Sequence, residues 1–159
     1  MESIEANTMI RRPIEEVFGF FHDFTNLPKF MGDVMAVEPV GPIESRWTIQ
    51  GPLGIRAKWT IRVTEERPNE LLRYELDALP PLKTRWELHF AHGAGPGETD
   101  VREVMTGPLG RISRAAMSLI GKHPAGEVSA NLNRLKQLME TGRIRDTSYS
   151  VPGKFAVQE

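Results

Sequence analysis

Apolar and polar residues alternate along most of the chain, and the period of that alternation changes with position. From Ser3 to Ile10, the residues Ile4, Ala6, Thr8 and Ile10 share one parity, with Glu5 and Asn7 on the other. That period of two predicts a half-buried strand. Arg11-Arg12-Pro13 follows, and proline suits a helix's first position because its missing N–H has no partner there. Glu15 and Glu16 fall in the first turn, where the helix dipole favours anions. Ile14, Val17, Phe18 and Phe21 then recur at spacings of three and four, predicting a short helix from Pro13 to Phe21. Phe24, Leu27, Phe30 and Met31 make the next stretch an apolar loop or a second short helix.

A run of strands comes next. Val34–Pro39 and Ser45–Gln50 are short, with turns at Gly41-Pro42 and at Gly51-Pro52-Leu53-Gly54 (the latter a hairpin turn or a flexible lip). Ile55, Ala57, Trp59, Ile61 and Val63 alternate with Arg56, Lys58, Thr60, Arg62 and Thr64, the cleanest period of two in the chain. Leu72, Tyr74 and Leu76 alternate with Arg73 and Glu75, and Thr84, Trp86, Leu88 and Phe90 with Arg85, Glu87 and His89. The last strand, Thr99–Thr106, carries Val101, Glu103 and Met105 on one parity. The period then lengthens to that of a helix. Ile112, Ala115, Ala116, Leu119 and Ile120 have helical spacing, Pro124 interrupts, and Val128, Leu132, Leu135, Leu138 and Met139 form a stripe over Ala125–Thr141. Gly142 is a C-cap candidate. Residues 143–159 have little apolar content, and we expect them to be mobile or to lie over the surface.

Strands adjacent in sequence and joined by short turns favour antiparallel pairing. One strand face is polar, so the other needs a cover, and the long striped helix is the large element available. The expected fold is α+β: a curved antiparallel sheet of six or seven strands gripping a C-terminal helix, with two short helices after the first strand. At 159 residues the chain has the length of one domain, expected over 1–142.

The segments "IRRPIEEVFGFFHDFTNLPKFM" (Ile10–Met31), "WTIQGPLGIRAKWTIRV" (Trp47–Val63) and "GPLGRISRAAMSLIGKHPAGEVSANLNRLKQLMETG" (Gly107–Gly142) resemble the START-like helix-grip superfamily, also called the polyketide cyclase/dehydrase and lipid transport group. The similarity is closest to a bacterial subgroup of mostly unassigned function. The resemblance covers residues 3–142. It implies an elongated cavity between the sheet's concave face and the C-terminal helix, holding a lipid, sterol, quinone or polyketide. It matches no catalytic motif.

The inward parity supplies the candidate ligand-binding residues: Trp59, Ile61, Tyr74, Leu76, Trp86, Leu88, Phe90 and Met105, with Met117, Ile120 and Leu132 from the helical segments. Such a set lines a pocket or simply fills a core, since stripes at these spacings occur in any α+β domain. Three tryptophans on three strands favour a lining, because large rings can border a space that aliphatic side chains would fill. Glu103 is the sharpest single residue. On the apolar parity its carboxyl is a candidate general acid or base. Alternatively a bulge turns it outward, or Arg102 or Arg114 pairs with it.

Composition narrows the chemistry. The absence of cysteine excludes disulfides, thiolate metal ligation and cysteine nucleophiles. A net charge of −1 argues against nucleic-acid binding by bulk electrostatics. No basic-then-apolar leader opens the sequence and no run approaches the ~18 apolar residues of a membrane span, so the cytoplasm is the expected compartment. His89 and His92 have poor metal-ligand spacing, and His22 beside Asp23 reads as a helix cap or an entrance residue. Neither a metal nor a cofactor is expected. Gly93–Gly97 reads as a turn, not a phosphate loop. The expected function is binding of a hydrophobic small molecule in the cavity. The alternative is a cyclase or aromatase-type enzyme using polar groups in the same space. A third reading, a membrane-linked carrier, needs a patch at the cavity mouth. Arg111, Arg114 and Lys122, with Arg143 and Arg145, are its scattered candidates.

Overall fold

The computed structural model describes residues 2–78, 83–107 and 123–155. The described elements are β1 (Glu2–Ile10), α1 (Ile14–His22), a 3-10 turn (Phe24–Lys29), β2 (Val34–Pro39), β3 (Glu44–Gln50), a second 3-10 turn (Pro52–Gly54), β4 (Arg56–Arg67), β5 (Leu71–Leu76), β6 (Arg85–His92), β7 (Thr99–Gly107) and α2 (Pro124–Thr141). The helical stripe over Ile112–Ile120 lies outside the described residues, as do the site candidates Met117 and Ile120.

All pairings are antiparallel, in a seven-stranded curved sheet ordered β1-β7-β6-β5-β4-β3-β2. Strands β2 to β7 form a meander. The N-terminal strand then lies against the last one, with Ala6 opposite Glu103 and Ile10 opposite Thr99. The expected α+β helix-grip arrangement is what the chain adopts. Register shifts between Val34 and Ala36 and between Val63 and Glu65 bend β2 and β4 locally.

Helix α1 buries Ile14, Val17, Phe18 and Phe21, the residues its spacing nominates, over one end of the concave face. Asp23 then starts the 3-10 turn: its carboxylate accepts from the Thr25 N–H (3.1 Å) and hydroxyl (2.6 Å). The Thr25 hydroxyl holds that carboxyl below its ordinary range. Helix α2 lies across the same face. Its later turns contribute Leu132 and Leu135, both buried, to a core with Ile10, Phe21, Phe30, Leu72, Leu88, Phe90 and Val101. Gly142 ends it in the left-handed conformation (φ 73°), its N–H donating to Leu138 O.

Residues 143–155 follow the second of the two courses expected of them and lie over the surface. They return along α2 and attach to it by hydrogen bonds. Arg134, fully buried, donates from Nε to Phe30 O (2.6 Å), from Nη1 to Ser148 O (2.6 Å) and from Nη2 to Asn131 Oδ1 (2.7 Å). Val151 N–H donates to Gly32 O, and the Lys154 ammonium donates to Met31 O and to Val34 O (2.6 Å). The Tyr149 ring covers Gly126, where a Cβ would lie 2.4 Å from it. Gln137 Oε1 accepts from the Arg145 and Asp146 N–H groups, and Asn133 Nδ2 donates to Asp146 Oδ2, contacts that composition does not signal.

Candidate functional site

The apolar cluster does not extend along the whole sheet. Beyond Phe24 and Tyr74, a cavity of about 280 Å³ opens between the concave face and the first turns of α2. The strand register builds its floor. Trp47 on β3 pairs with Trp59 on β4, Ile61 on β4 with Leu76 on β5, Tyr74 on β5 with Trp86 on β6, and Trp86 with Met105 on β7. Because strand parity is shared across an antiparallel ladder, these side chains stand in rows on one face. Met31, Asp33 and Val34 form one wall, and Pro124, Glu127, Val128 and Asn131 of α2 the other. Tyr74 is 1% exposed and Trp59 is 36% exposed, so the cavity runs from a closed inner end to a mouth beside Trp59.

Ring geometry fixes the inner end. Phe24 meets Trp47 and Tyr74 edge-on, with centroids 5.4 and 5.1 Å apart. Tyr74 stacks on Trp86 at 5.4 Å and 17° between planes. Trp47 is held by its own Nε1, which donates to the buried Ser45 hydroxyl (2.9 Å). Each ring is braced by another, so the wall keeps its shape with the space beside it open.

Glu103 opens into this space. β7 has no bulge there: Glu103 sits between Ala6 and Leu88 in regular register, on the parity of Met105. Arg102 points the other way and pairs with Glu5 (3.1 Å), and Arg114 lies outside the described residues. The Glu103 carboxyl is 4% exposed, and no hydrogen bond or ion pair reaches it among the described residues. Burial pushes its pKa up to about 8, so at neutral pH it carries a proton. The Tyr74 phenol is raised well above its ordinary value, by burial first and by Glu103 second. Two neutral O–H groups therefore share the closed end of an otherwise apolar cavity.

Of the residues nominated from sequence, Trp59, Ile61, Tyr74, Leu76, Trp86, Met105 and Glu103 border the cavity. Leu88, Phe90 and Leu132 do not: they are buried in the core. Their parity is the inward one, but α1 covers that end of the sheet, with Phe18 and Phe21 ring centroids 5.2 and 6.4 Å from that of Phe90. Trp47 entered the sequence reading only as one of three tryptophans favouring a lining, and Ile49 was missed, although β3 gave both the right parity. Sequence reasoning also missed Met31, Asp33, Val34, Glu127, Val128 and Asn131, which no strand periodicity could nominate.

A second, larger groove of about 600 Å³ lies among Asp23, Thr25, the β2–β3 turn and the Val63–Glu66 edge of β4. Most of its titratable groups are engaged: His22 pairs with Glu66, Asp23 accepts from Thr25, and Glu65 pairs with Arg67 (2.7 Å) and Arg73 (2.8 Å). His22 thus bridges α1 to β4. His89 lies 3.2 Å from Glu87. Among the described residues no group of three His, Asp or Glu side chains could hold a metal ion, and no helix is long and apolar enough to cross a membrane.

This geometry agrees with the sequence comparison. The family described as polyketide cyclase / dehydrase and lipid transport matches residues 1–140, and the chain belongs to it. Among solved structures, a Deinococcus radiodurans protein superposes with a TM-score of 0.68 at 22% identity, covering 89% of this chain and 99% of that one. A START superfamily protein from Mycobacterium smegmatis gives 0.61 at 14%, covering 86% and 98%. The di-domain aromatase/cyclase StfQ of the steffimycin biosynthetic pathway gives 0.66 at 18%, covering 87% of this chain and 45% of that one. At these identities the structures share the fold. No curated protein matches the chain.

Proposed function

We propose that this protein binds a hydrophobic small molecule in the cavity between the sheet and α2. The observation that carries the reading is the braced, mostly apolar space itself. A chain selected only for stability would fill it, since each unfilled cubic ångström in a core costs roughly 24 cal/mol. The space borders four aromatic side chains, Trp47, Trp59, Tyr74 and Trp86, and has few polar groups, as ligand sites do. Family membership supports the same reading. The test is organic extraction of the purified protein followed by mass spectrometry, with Val128→Trp as the blocked control. We expect an apolar compound in near-stoichiometric amount from the native chain and its loss from the variant. Equal recovery from both places the compound elsewhere and refutes the reading.

One observation favours a second reading, an enzyme of the cyclase or aromatase type. Glu103 holds a proton at neutral pH inside an apolar cavity, the state required of a general acid. In that case Glu103→Gln abolishes turnover of a polyketide-like substrate while leaving its affinity within a few-fold.

A further inference from the structure

Buried polar groups in folded proteins are almost always hydrogen-bonded, and each exception asks for an explanation. The Glu103 carboxyl has no protein partner among the described residues because it faces the open space of the cavity, and in this it differs from the other acidic groups of the wall. Asp33 and Glu127 are half-buried, have interactions of their own and lie within electrostatic reach of Arg134. Glu103 is nearly inaccessible, sits at the closed end and faces the open space. A Leu at this position would pair with Leu88 across the ladder and shed the desolvation cost.

We infer that Glu103 selects the ligand by charge and by hydrogen bonding: the bound molecule is an uncharged, compact ring compound that presents a carbonyl or hydroxyl oxygen to the Glu103 carboxyl. The inference rests on the cavity being a ligand site, and it adds what the ligand must carry. Three observations support it. The carboxyl retains its proton at neutral pH and so can donate to an oxygen, which a carboxylate could not do. The stacked Tyr74 and Trp86 rings present flat faces beside it, matching a flat partner. A volume of about 280 Å³ corresponds to roughly nine waters at ~30 Å³ each, enough to seat a two-ring skeleton. Among the described wall residues there is no Lys, Arg or His to receive an anion, and the titratable groups are Asp33, Tyr74, Glu103 and Glu127. A ligand carboxylate beside the Glu103 carboxyl would be repelled or forced to take up a proton, so fatty acids and other carboxylates should bind most weakly.

The experiment uses three naphthalenes of equal heavy-atom count: 2-acetylnaphthalene, 2-isopropylnaphthalene and 2-naphthoate. Each is titrated into the full chain by calorimetry, with Glu103→Leu and Glu103→Gln as variants. We expect the native protein at pH 7 to prefer the ketone over the hydrocarbon by about fivefold to tenfold, the worth of one buried hydrogen bond, and to bind the carboxylate most weakly. Glu103→Leu should bind the hydrocarbon at least as well as the ketone. Glu103→Gln, which keeps a donor, should keep the ketone preference. Above pH 8 the native preference should fade while that of Glu103→Gln persists. Equal affinity of the native chain for ketone and hydrocarbon, or tightest binding of the carboxylate, overturns the inference and leaves the cavity a ligand site. Failure of all three compounds with all three proteins overturns both.

Discussion

Glu103 makes stability depend on pH in a direction opposite to that of most carboxylates. Its folded pKa of about 8 stands above the ordinary value of 4.5. The folded state therefore holds a proton that the unfolded state gives up. Its stability is fully present below about pH 4.5, declines as pH rises from there to about 8, and then levels. Glu103→Gln removes this term. Urea denaturation from pH 5 to pH 9 should show the variant's advantage growing to pH 8 and reaching a plateau on the order of 4 kcal/mol. A constant difference across that range would mean that the carboxyl ionises normally. Arg134 presents the converse case, a buried cation with its donors used. Burial draws its pKa down, but it remains charged and bonded to Phe30, Asp146 and Ser148 carbonyls. Arg134→Leu leaves those acceptors without their donor, and we expect a loss of about 3 kcal/mol by the same measurement.

At the scale of elements, α2 carries two tasks along one length. Its first turns border the cavity with Pro124, Glu127, Val128 and Asn131, and its later turns fill the core with Leu132 and Leu135. Gly126 sits in the cavity half, where glycine costs a helix roughly 1 kcal/mol relative to alanine. The Tyr149 ring explains it, since a methyl group would overlap that ring. Gly126→Ala should therefore raise helix propensity yet detach the tail. Hydrogen exchange should show faster exchange of the Val151 amide, which is otherwise held by Gly32 O, with α2 itself still protected. Lys154 is the other anchor, its pKa drawn down to about 8 by burial between Met31 and Val34 carbonyls. Lys154→Ala should loosen the Met31–Val34 wall and weaken ligand binding several-fold without moving Tyr74 or Trp86. Titration of any compound recovered by extraction checks this.

For the whole molecule, local pattern and global arrangement carried different information. The period of two at Trp59–Val63 and the helical stripe at Val128–Met139 located β4 and α2, because each element has a wet face and a dry one to alternate between. Parity also placed Glu103 inward. What parity cannot distinguish is whether an inward residue meets another side chain or open space. Phe90 and Tyr74 look alike along the chain, and α1 covers one and not the other. Pairing of β1 with β7 was equally silent, since a partner about a hundred residues away leaves no mark on local period. Deleting Glu2–Met9 tests the weight of that pairing. It exposes a full edge on β7 beside the cavity, and we expect a chain that aggregates rather than one that merely melts earlier. Size-exclusion chromatography of the truncated protein decides the matter.

The β1–β7 pairing and the bonds from Lys154 to the Met31–Val34 segment share a temporal consequence. Both join parts of the chain that leave the ribosome far apart in time, at roughly 5–20 residues per second. β1 waits unpaired until Gly107 has emerged, and the wall beside β2 waits until Lys154 has. A nascent chain therefore presents Trp47, Trp59, Tyr74 and Trp86 to solvent or to a chaperone for several seconds with no finished chamber behind them. The chamber is finished last at the wall beside β2, once Lys154 has reached the Met31 and Val34 carbonyls.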